Sequence, residues 1–304
     1  MQVVIGVDGS AESFAAVQFA SELLNAGTDQ VVLFYSPPEV RIPSAASPSL
    51  VERARNAVTE AVFDEARSRL SDGLKANAQT LAGTRKPGRG ILLAAEEVNA
   101  GLIVVGASGA GTVGSWLLGT VSSEVLDHAK VPVLTVRPSQ PHTEPGLRVL
   151  IAYDGSKGSQ LAADTLTRLT WPVGSQACVV SVVEPAFADE MPGWMTHKVR
   201  SAEVEEMTRI WADEHDQEMR NRGEEIARLS QQLPAPLTGA ETQIIEGDAA
   251  EKILALARER QVDLLVIGAR GQGAWERMLL GSTATRLVEH APCSVLVVRE
   301  RETP

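Results

Sequence analysis

The sequence of 304 residues contains one pattern twice. Residues 3–10, VVIGVDGS, match residues 149–156, VLIAYDGS, at an offset of 146 positions. Residues 101–137 match residues 263–299 at an offset of 162, and 15 of these 37 aligned positions are identical without a gap. A pattern that recurs after about 150 residues indicates two copies of one domain. The change of offset places 16 additional residues between the first and last thirds of the second copy.

Each copy alternates short apolar, β-branched runs with longer stretches of helical period. We predict five strands per copy, near residues 3–7, 31–35, 77–82, 102–105 and 131–136, and near residues 149–153, 178–183, 241–245, 264–267 and 294–298. The intervening helices include long charged ones near 48–80 and 197–232, two near 88–99 and 249–260, and two that end at His128 and His290.

Strands that alternate with helices at this spacing indicate βαβ crossovers and a parallel sheet. The strands are nearly continuous apolar runs, as expected for strands buried on both faces. The proline-rich segment 138–145 is typical of a linker between domains. The sequence therefore predicts two tandem α/β domains, residues 1–138 and 146–301, each with a five-stranded, mostly parallel sheet and helices on both faces.

The composition excludes several classes of function. The net charge is -11 and both copies are acidic, so we expect no nucleic-acid partner. No apolar run reaches the roughly 18–20 residues of a membrane-spanning helix, and the start of the chain does not resemble a signal peptide. The two cysteines, Cys178 and Cys293, lie in or beside strand-like runs without an obvious cationic neighbour in the sequence. We therefore expect buried, unreactive thiols and a cytoplasmic protein.

A glycine-rich segment follows the fourth strand of each copy. The first copy has Gly106 and Gly109, then nine residues, then Gly119 and Thr120; the second repeats this spacing from Gly268. Glycines let the backbone approach an anion closely, and successive amides followed by a hydroxyl can hold a phosphate chain. Because the pattern recurs after a buried strand in both copies, we favour phosphate binding over simple turns.

Several familiar catalytic patterns are missing from the sequence. Neither loop has the Gly-Lys-Ser/Thr of P-loop enzymes, and no Gly-x-Gly-x-x-Gly follows the first strand. The Gly-x-Ser-x-Gly elbow of hydrolases is absent as well. We assign no catalytic residue and no metal ligand, and expect weak ATPase activity at most.

Taken together, the glycine spacing, the early Asp-Gly-Ser and the closing His-Ala-x-x-x-Val-Leu-x-Val resemble the marks of ATP-binding universal stress proteins. The resemblance covers each half of the chain once. It implies a Rossmann-like fold of the adenine nucleotide alpha hydrolase-like type. It also implies bound ATP, ADP or AMP, with or without Mg²⁺, in a stress-response role. An intrachain pseudo-dimer of the two halves and a homodimer of chains are further expectations from the family.

The resemblance also assigns nucleotide-binding positions in both halves. Asp8 and Asp154 would lie at the adenosine end, and the glycine-rich loops would hold the phosphates. The predicted positions are Val7, Asp8, Gly106, Ser108, Gly109, Gly119, Thr120, Val121 and Ser122 in the first half, and Tyr153, Asp154, Gly268, Arg270, Gly271, Gly281, Ser282 and Thr283 in the second. The second half departs by Arg270 in place of Ser108 and Ala284 in place of Ser122, so the two sites need not bind equally.

The aspartates and two recurring histidines also have structural interpretations. Asp8 and Asp154 could cap the helices that follow them, although Ser10 and Ser156 could take that role. His128 and His290 recur in both copies, but their position at a helix end favours an interaction with the last carbonyls over catalysis.

Two alternatives to a regulatory nucleotide-binding protein stay open. One is a slow ATPase or autophosphorylating enzyme, whose product would accumulate beyond stoichiometry. The other is a nucleotide-free interaction module.

Overall fold

The structure, a computed structural model, describes residues 1–38, 46–84, 86–108, 118–138, 145–183, 202–271 and 280–300, with the backbone alone at 202–205. Among the described helices, none is both long and apolar enough to cross a membrane.

The first half contains β1 (Gln2–Val7), α1 (Ala11–Leu23), β2 (Gln30–Tyr35), α2 (Pro48–Ser68), α3 (Asp72–Asn77), β3 (Gln79–Ala82), α4 (Pro87–Glu97), β4 (Leu102–Gly106), α5 (Thr120–His128) and β5 (Val133–Val136). The second half contains β6 (Arg148–Ala152), α6 (Lys157–Thr165) with a 3₁₀ turn at Leu166–Arg168, β7 (Gln176–Val183), α7 (Ala202–Gln232), β8 (Glu241–Glu246), α8 (Ala249–Glu259), β9 (Leu264–Gly268), α9 (Ser282–His290) and β10 (Ser294–Val298). The predicted strands are present, including the short β3, and within the described residues the predicted helices are present except near 48–80.

The single helix predicted near 48–80 is wrong, because the structure has two helices there. α2 ends at Ser68, and Ser71 is extended, with φ -60° and ψ 152°. The Ser71 amide donates to the Ser21 hydroxyl at 2.9 Å, which ties the break to α1. Gly73 then packs against Ala26. The Ser-Asp-Gly at 71–73 is a helix-start signal that the amphipathic pattern around it concealed.

All ten strands form one sheet, in the order β3-β2-β1-β4-β5-β10-β9-β6-β7-β8. Neighbours within each half are parallel. The halves join through β5 and β10, which are antiparallel, with Leu134 opposite Leu296. The direction of the strands therefore reverses at this joint, and the carboxyl ends of the two sets of strands lie at opposite edges of the sheet.

Alternate strand residues point to opposite faces, so each face has its own core. One core contains Ile5 and Leu33 and is covered by α1 and α2, with α6 and α7 over the same face of the second half. The other contains Val4 and Ile103 and is covered by α4, α5, α8 and α9. Each fully buried Leu or Ile in these layers stabilises the fold by roughly 1.5–3 kcal/mol. Both cores continue across the joint between the halves.

Two arginines cross the joint reciprocally. Arg137, just after β5, is 8% exposed and donates from Nη2 to two carbonyls at the end of α9, at 2.9 and 3.2 Å. Arg299, just after β10, donates to two carbonyls at the end of α5, at 2.7 and 2.6 Å. A cation at a helix carboxyl end binds its orphan carbonyls and interacts favourably with the helix dipole. Burial lowers the pKa of both guanidinium groups.

Candidate functional site

The predicted site residues of the first half that the structure describes lie at a change in strand order. From β1 the chain moves outward to β2 and β3, then returns to place β4 on the other side of β1. In open parallel sheets, ligands bind beyond the carboxyl ends of strands at such a switch point. Asp8 directly follows β1, and Ser108 follows β4. The second half repeats this arrangement with Asp154 after β6 and Arg270 after β9.

The Asp-Gly-Ser turn accepts the same hydrogen bonds from backbone amides in both halves. In the first, Asp8 Oδ1 accepts from the Ser10 amide at 2.9 Å and from its hydroxyl at 2.5 Å. Ser10 Oγ accepts from the Ser13 amide at 3.1 Å and so caps α1. The glycine between them, Gly9, has φ +86°, a conformation that favours glycine.

In the second half, Asp154 Oδ1 accepts from the Ser156 amide at 3.0 Å, and Ser156 Oγ caps α6 through the Ser159 amide at 3.1 Å. Gly155 has φ +76°. Of the two candidate caps at each helix, the serine therefore supplies the hydrogen bond. Each aspartate instead supports the turn with one carboxylate oxygen.

Each glycine-rich loop is closed at its base by a backbone hydrogen bond. The Gly119 amide donates to Ala107 O at 2.7 Å, and the Gly281 amide donates to Ala269 O at 2.8 Å. These bonds bring the start of α5 back to the end of β4, and the start of α9 back to the end of β9. Gly109 lies outside the described residues, as do residues 110–117 and 272–279.

Within the described residues, no side chain caps the amino ends of α5 and α9. Gly119 and Gly281 occupy the cap positions in extended conformation, and neither can supply a side-chain acceptor. The amides of the first helical turn have no partner within a helix. Thr120 and Ser282 are exposed at these ends. Two helix amino ends that present amides and a hydroxyl are suited to bind anions.

The predicted position Ser122 has a structural contact. Its side chain is buried, and Oγ donates to Gly106 O at 2.6 Å, which ties α5 to the end of β4. Ala284 at the equivalent position has no hydroxyl to make this bond. A phosphate contact of the Ser122 hydroxyl stays a prediction, because its proton faces the strand here. Of the other predicted positions, Val7 is buried, Val121 is half-buried and Thr283 is exposed.

In the second half, the loop after β9 presses against the Asp-Gly-Ser turn. A Cβ on Gly268 would stand 2.6 Å from Gly158 C, and a Cβ on Gly158 would overlap Arg270 O. A Cβ on Gly271 would stand 2.6 Å from Asp154 Oδ2. The structure therefore brings Asp154 and Gly271 together, although 117 positions separate them in the sequence. The first half is looser, since a Cβ on Gly106 would lie 3.3 Å from the nearest atoms.

A tyrosine stands at each site, and sequence reasoning included only one of the two. Tyr35 ends β2 opposite Val7, is buried, and packs edge-on against Phe63 at 6.2 Å between ring centroids. Burial raises the pKa of Tyr35, and the charge of Asp8 raises it further. These are the chain's only tyrosines, each at or just after the end of a strand, a signal that could have identified Tyr35.

Tyr153 directly follows β6 and donates to Gln160 Oε1 at 3.4 Å. Burial raises the pKa of Tyr153, and Glu225 raises it further while Arg222 lowers it. Charges on α7 therefore reach the second site, which the sequence did not predict.

His128, His290 and both cysteines lie outside these sites. His128 Nδ1 is 2.9 Å from Glu124 O, within the last turn of α5, as predicted. Both thiols are free and buried. The expectation that they lack cationic neighbours is wrong, because the fold brings Arg260 toward Cys178 and Arg137 toward Cys293. Burial nevertheless dominates and raises the pKa of both thiols, to about 12 for Cys293.

Comparison with known proteins agrees with the duplicated architecture. The model of the universal stress protein family matches residues 1–137 and 147–299. A universal stress protein of Mycolicibacterium smegmatis is 26% identical over 309 residues, covering 98% of this chain and 97% of the relative. A universal stress protein structure from Archaeoglobus fulgidus superposes with a TM-score of 0.59 at 21% identity, covering 99% of this chain and 97% of that chain. A universal stress protein in complex with cAMP matches 45% of this chain and 96% of its own, at 25% identity and a TM-score of 0.33.

Proposed function

The chain belongs to the universal stress protein family, once in each half, and from this premise we propose that each half binds one adenine nucleotide, ATP, ADP or AMP. We propose residues 1–138 and 146–301 as the two binding units. The observation that carries the proposal recurs in both halves: a helix amino end that no described side chain caps, and an aspartate turn, both at a switch point of the sheet.

The phosphates would lie over the first turns of α5 and α9. There the amides of Thr120 and Val121, or of Ser282 and Thr283, point toward an anion, and the helix dipole favours negative charge. Asp8 and Asp154 would accept hydrogen bonds from ribose or adenine at the other end. Because phosphates would be held by amides, the acidic net charge of the chain does not conflict with nucleotide binding. Mg²⁺ bound to the phosphates would offset part of their negative charge.

A binding and regulatory role follows from this chemistry better than catalysis. The proposed contacts are amides, hydroxyls and one aspartate per site, and they hold phosphates without activating a water molecule. We propose that the protein is a stress-response regulator in the cytoplasm and that its chains form homodimers. A molar mass of twice 32.4 kDa by light scattering would support the dimer, and a molar mass of 32.4 kDa alone would contradict it.

The proposal predicts adenine nucleotide in the native protein, or a rise in melting temperature with ATP. Ser282→Glu tests it at one site: the new carboxylate would occupy the anion position at the start of α9, where an acidic residue also stabilises the helix. Chromatography after denaturation, or titration with ATP, should then find one nucleotide per chain in place of two. Ser282→Gln, similar in size but neutral, is the matched control and should keep the second nucleotide. If wild type binds no nucleotide, or both variants behave as wild type, the proposal is wrong.

A further inference from the structure

The second site carries an arginine where the first has an apolar side chain. A Cβ on Gly9 would stand 3.4 Å from Val62 Cγ2 of α2, while a Cβ on Gly155 would overlap Arg222 Nη1 of α7. α2 and α7 cover equivalent strands in the two halves. The guanidinium of Arg222 therefore lies directly against the turn that holds Asp154, and the side chain is only 11% exposed.

Arg222 is held in this place by an ion pair within its own helix. Nη1 donates to Glu225 Oε2 at 3.0 Å, three residues along α7, and the Glu225 side chain is 43% exposed. A guanidinium presents five N–H donors in a planar fork that matches phosphate geometry. The exposed carboxylate of Glu225 can turn to solvent, which leaves the fork beside Asp154 for another anion.

The same edge of the second site gains positive charge at two further positions. Lys157 stands where the first half has Ala11, and Arg270 where it has Ser108. Lys157 forms an exposed ion pair with Glu300 at 2.6 Å, and the Arg270 backbone contacts the start of α6. Glu12, in the first turn of α1, becomes Gly158 in the second half. Beside its aspartate turn, the second half thus lacks Glu12 and gains the guanidinium of Arg222.

We propose that Arg222 makes the second site selective for adenine nucleotides that carry an additional phosphate on the ribose. This inference rests on the proposed nucleotide binding. A carboxylate that meets a ribose hydroxyl repels a phosphate there, and an arginine beside it accommodates the phosphate. The first site, with Asp8 and Val62, would take ribose hydroxyls alone.

The test compares 5′-AMP with adenosine 2′,5′-bisphosphate and adenosine 3′,5′-bisphosphate by calorimetric titration of the full chain at constant ionic strength. We expect one of the two sites to bind one bisphosphate about 10- to 100-fold more tightly than 5′-AMP, the gain of one charge-assisted contact. Arg222→Val, which copies the first half, should reduce this ratio to about one. Arg222→Gln keeps most of the side chain's length and should do the same, which separates the loss of charge from the loss of packing.

Reciprocal variants in the first half complete the test. Val62→Arg should create bisphosphate preference at a second site. Val58→Arg adds the same charge one turn earlier on α2, at a side chain 53% exposed, and should not. If 5′-AMP binds at both sites but wild type shows no bisphosphate preference, or if the preference survives Arg222→Val, this inference alone is overturned. If no adenine nucleotide binds, the proposed function fails and the inference fails with it.

Discussion

Replacing Gly268 by alanine should separate the two parts of the second site, whereas the same change at the equivalent Gly106 should have little effect. Each glycine ends the fourth strand of its half and faces the first turn of the helix after the first strand, α1 for Gly106 and α6 for Gly268. The new Cβ would stand 2.6 Å from Gly158 C in the second half, but 3.3 Å from Glu12 C in the first. Carbon atoms in contact settle at about 3.5–4.0 Å, so β9 and α6 must separate by roughly 1 Å and β4 and α1 by only a few tenths.

The energetic consequence follows from this difference. Overpacking of this kind costs about 1–3 kcal/mol, offset by about 0.4–1 kcal/mol because alanine restricts the unfolded chain. We therefore expect Gly268→Ala to destabilise by about 1–2 kcal/mol and Gly106→Ala to change stability by about 0.5 kcal/mol or less. Unfolding entropy is roughly 2.1 cal/mol/K per residue. The loss of about 1–2 kcal/mol in Gly268→Ala therefore lowers the melting temperature by about 3–6 °C if the second half unfolds as a unit. The decrease is about half as large if the chain unfolds as one.

Binding should change at the same site. A loop displaced by about 1 Å loses at least one good phosphate contact, which lowers the affinity of the second site for ATP by about tenfold. Thermal melting and calorimetric titration of both variants and wild type provide the comparison. Equal effects of the two substitutions, or an unchanged second site in Gly268→Ala, would refute the argument that close glycine packing assembles this site.

Three further predictions concern stability. Ser10→Ala and Ser156→Ala each remove a helix cap and should cost about 1 kcal/mol in chemical denaturation; unchanged midpoints would show that the caps contribute nothing. Arg137→Ala and Arg299→Ala each leave carbonyls at the joint without their donor, so about 2–4 kcal/mol should be lost by the same assay, with faster proteolysis between the halves as a second readout. Cys293 has a pKa raised by burial from 9.0 to about 12, so its protonated form is stabilised by folding. Its stabilisation is complete below pH 9 and declines as the pH rises from 9 toward 12. Cys293→Ser should flatten that decline, and rapid labelling of the native thiol at pH 8 would contradict the assigned burial.

Much of the fold could be predicted because the sequence repeats itself. Two copies of the same strand and loop pattern located ten strands, and local rules included Ser10 and Ser156 among the candidate helix caps. The break at Ser71 was missed because its start signal lies inside a continuous amphipathic pattern. Local sequence determines such features, and errors arise where two local signals compete.

The remaining features depend on residues far apart in the chain. Arg137 reaches a carbonyl 151 residues away, and Arg299 reaches one 173 residues away in the opposite direction. The contact of Arg222 with the Asp154 turn depends on how α7 lies over the sheet, and no local pattern specifies that. Asp8 and Ser108 were correctly placed at one edge because both follow parallel strands, a rule that needs only topology.

The proposed function depends on one contact, in which backbone amides at the starts of α5 and α9 hold the phosphates of a nucleotide. Backbone amide NMR during a titration of the full chain with ATP tests it directly. The amides of Thr120, Val121, Ser282 and Thr283 should shift strongly and saturate at two equivalents of ATP. If these four resonances stay in place while ATP is added in excess, the claim is wrong.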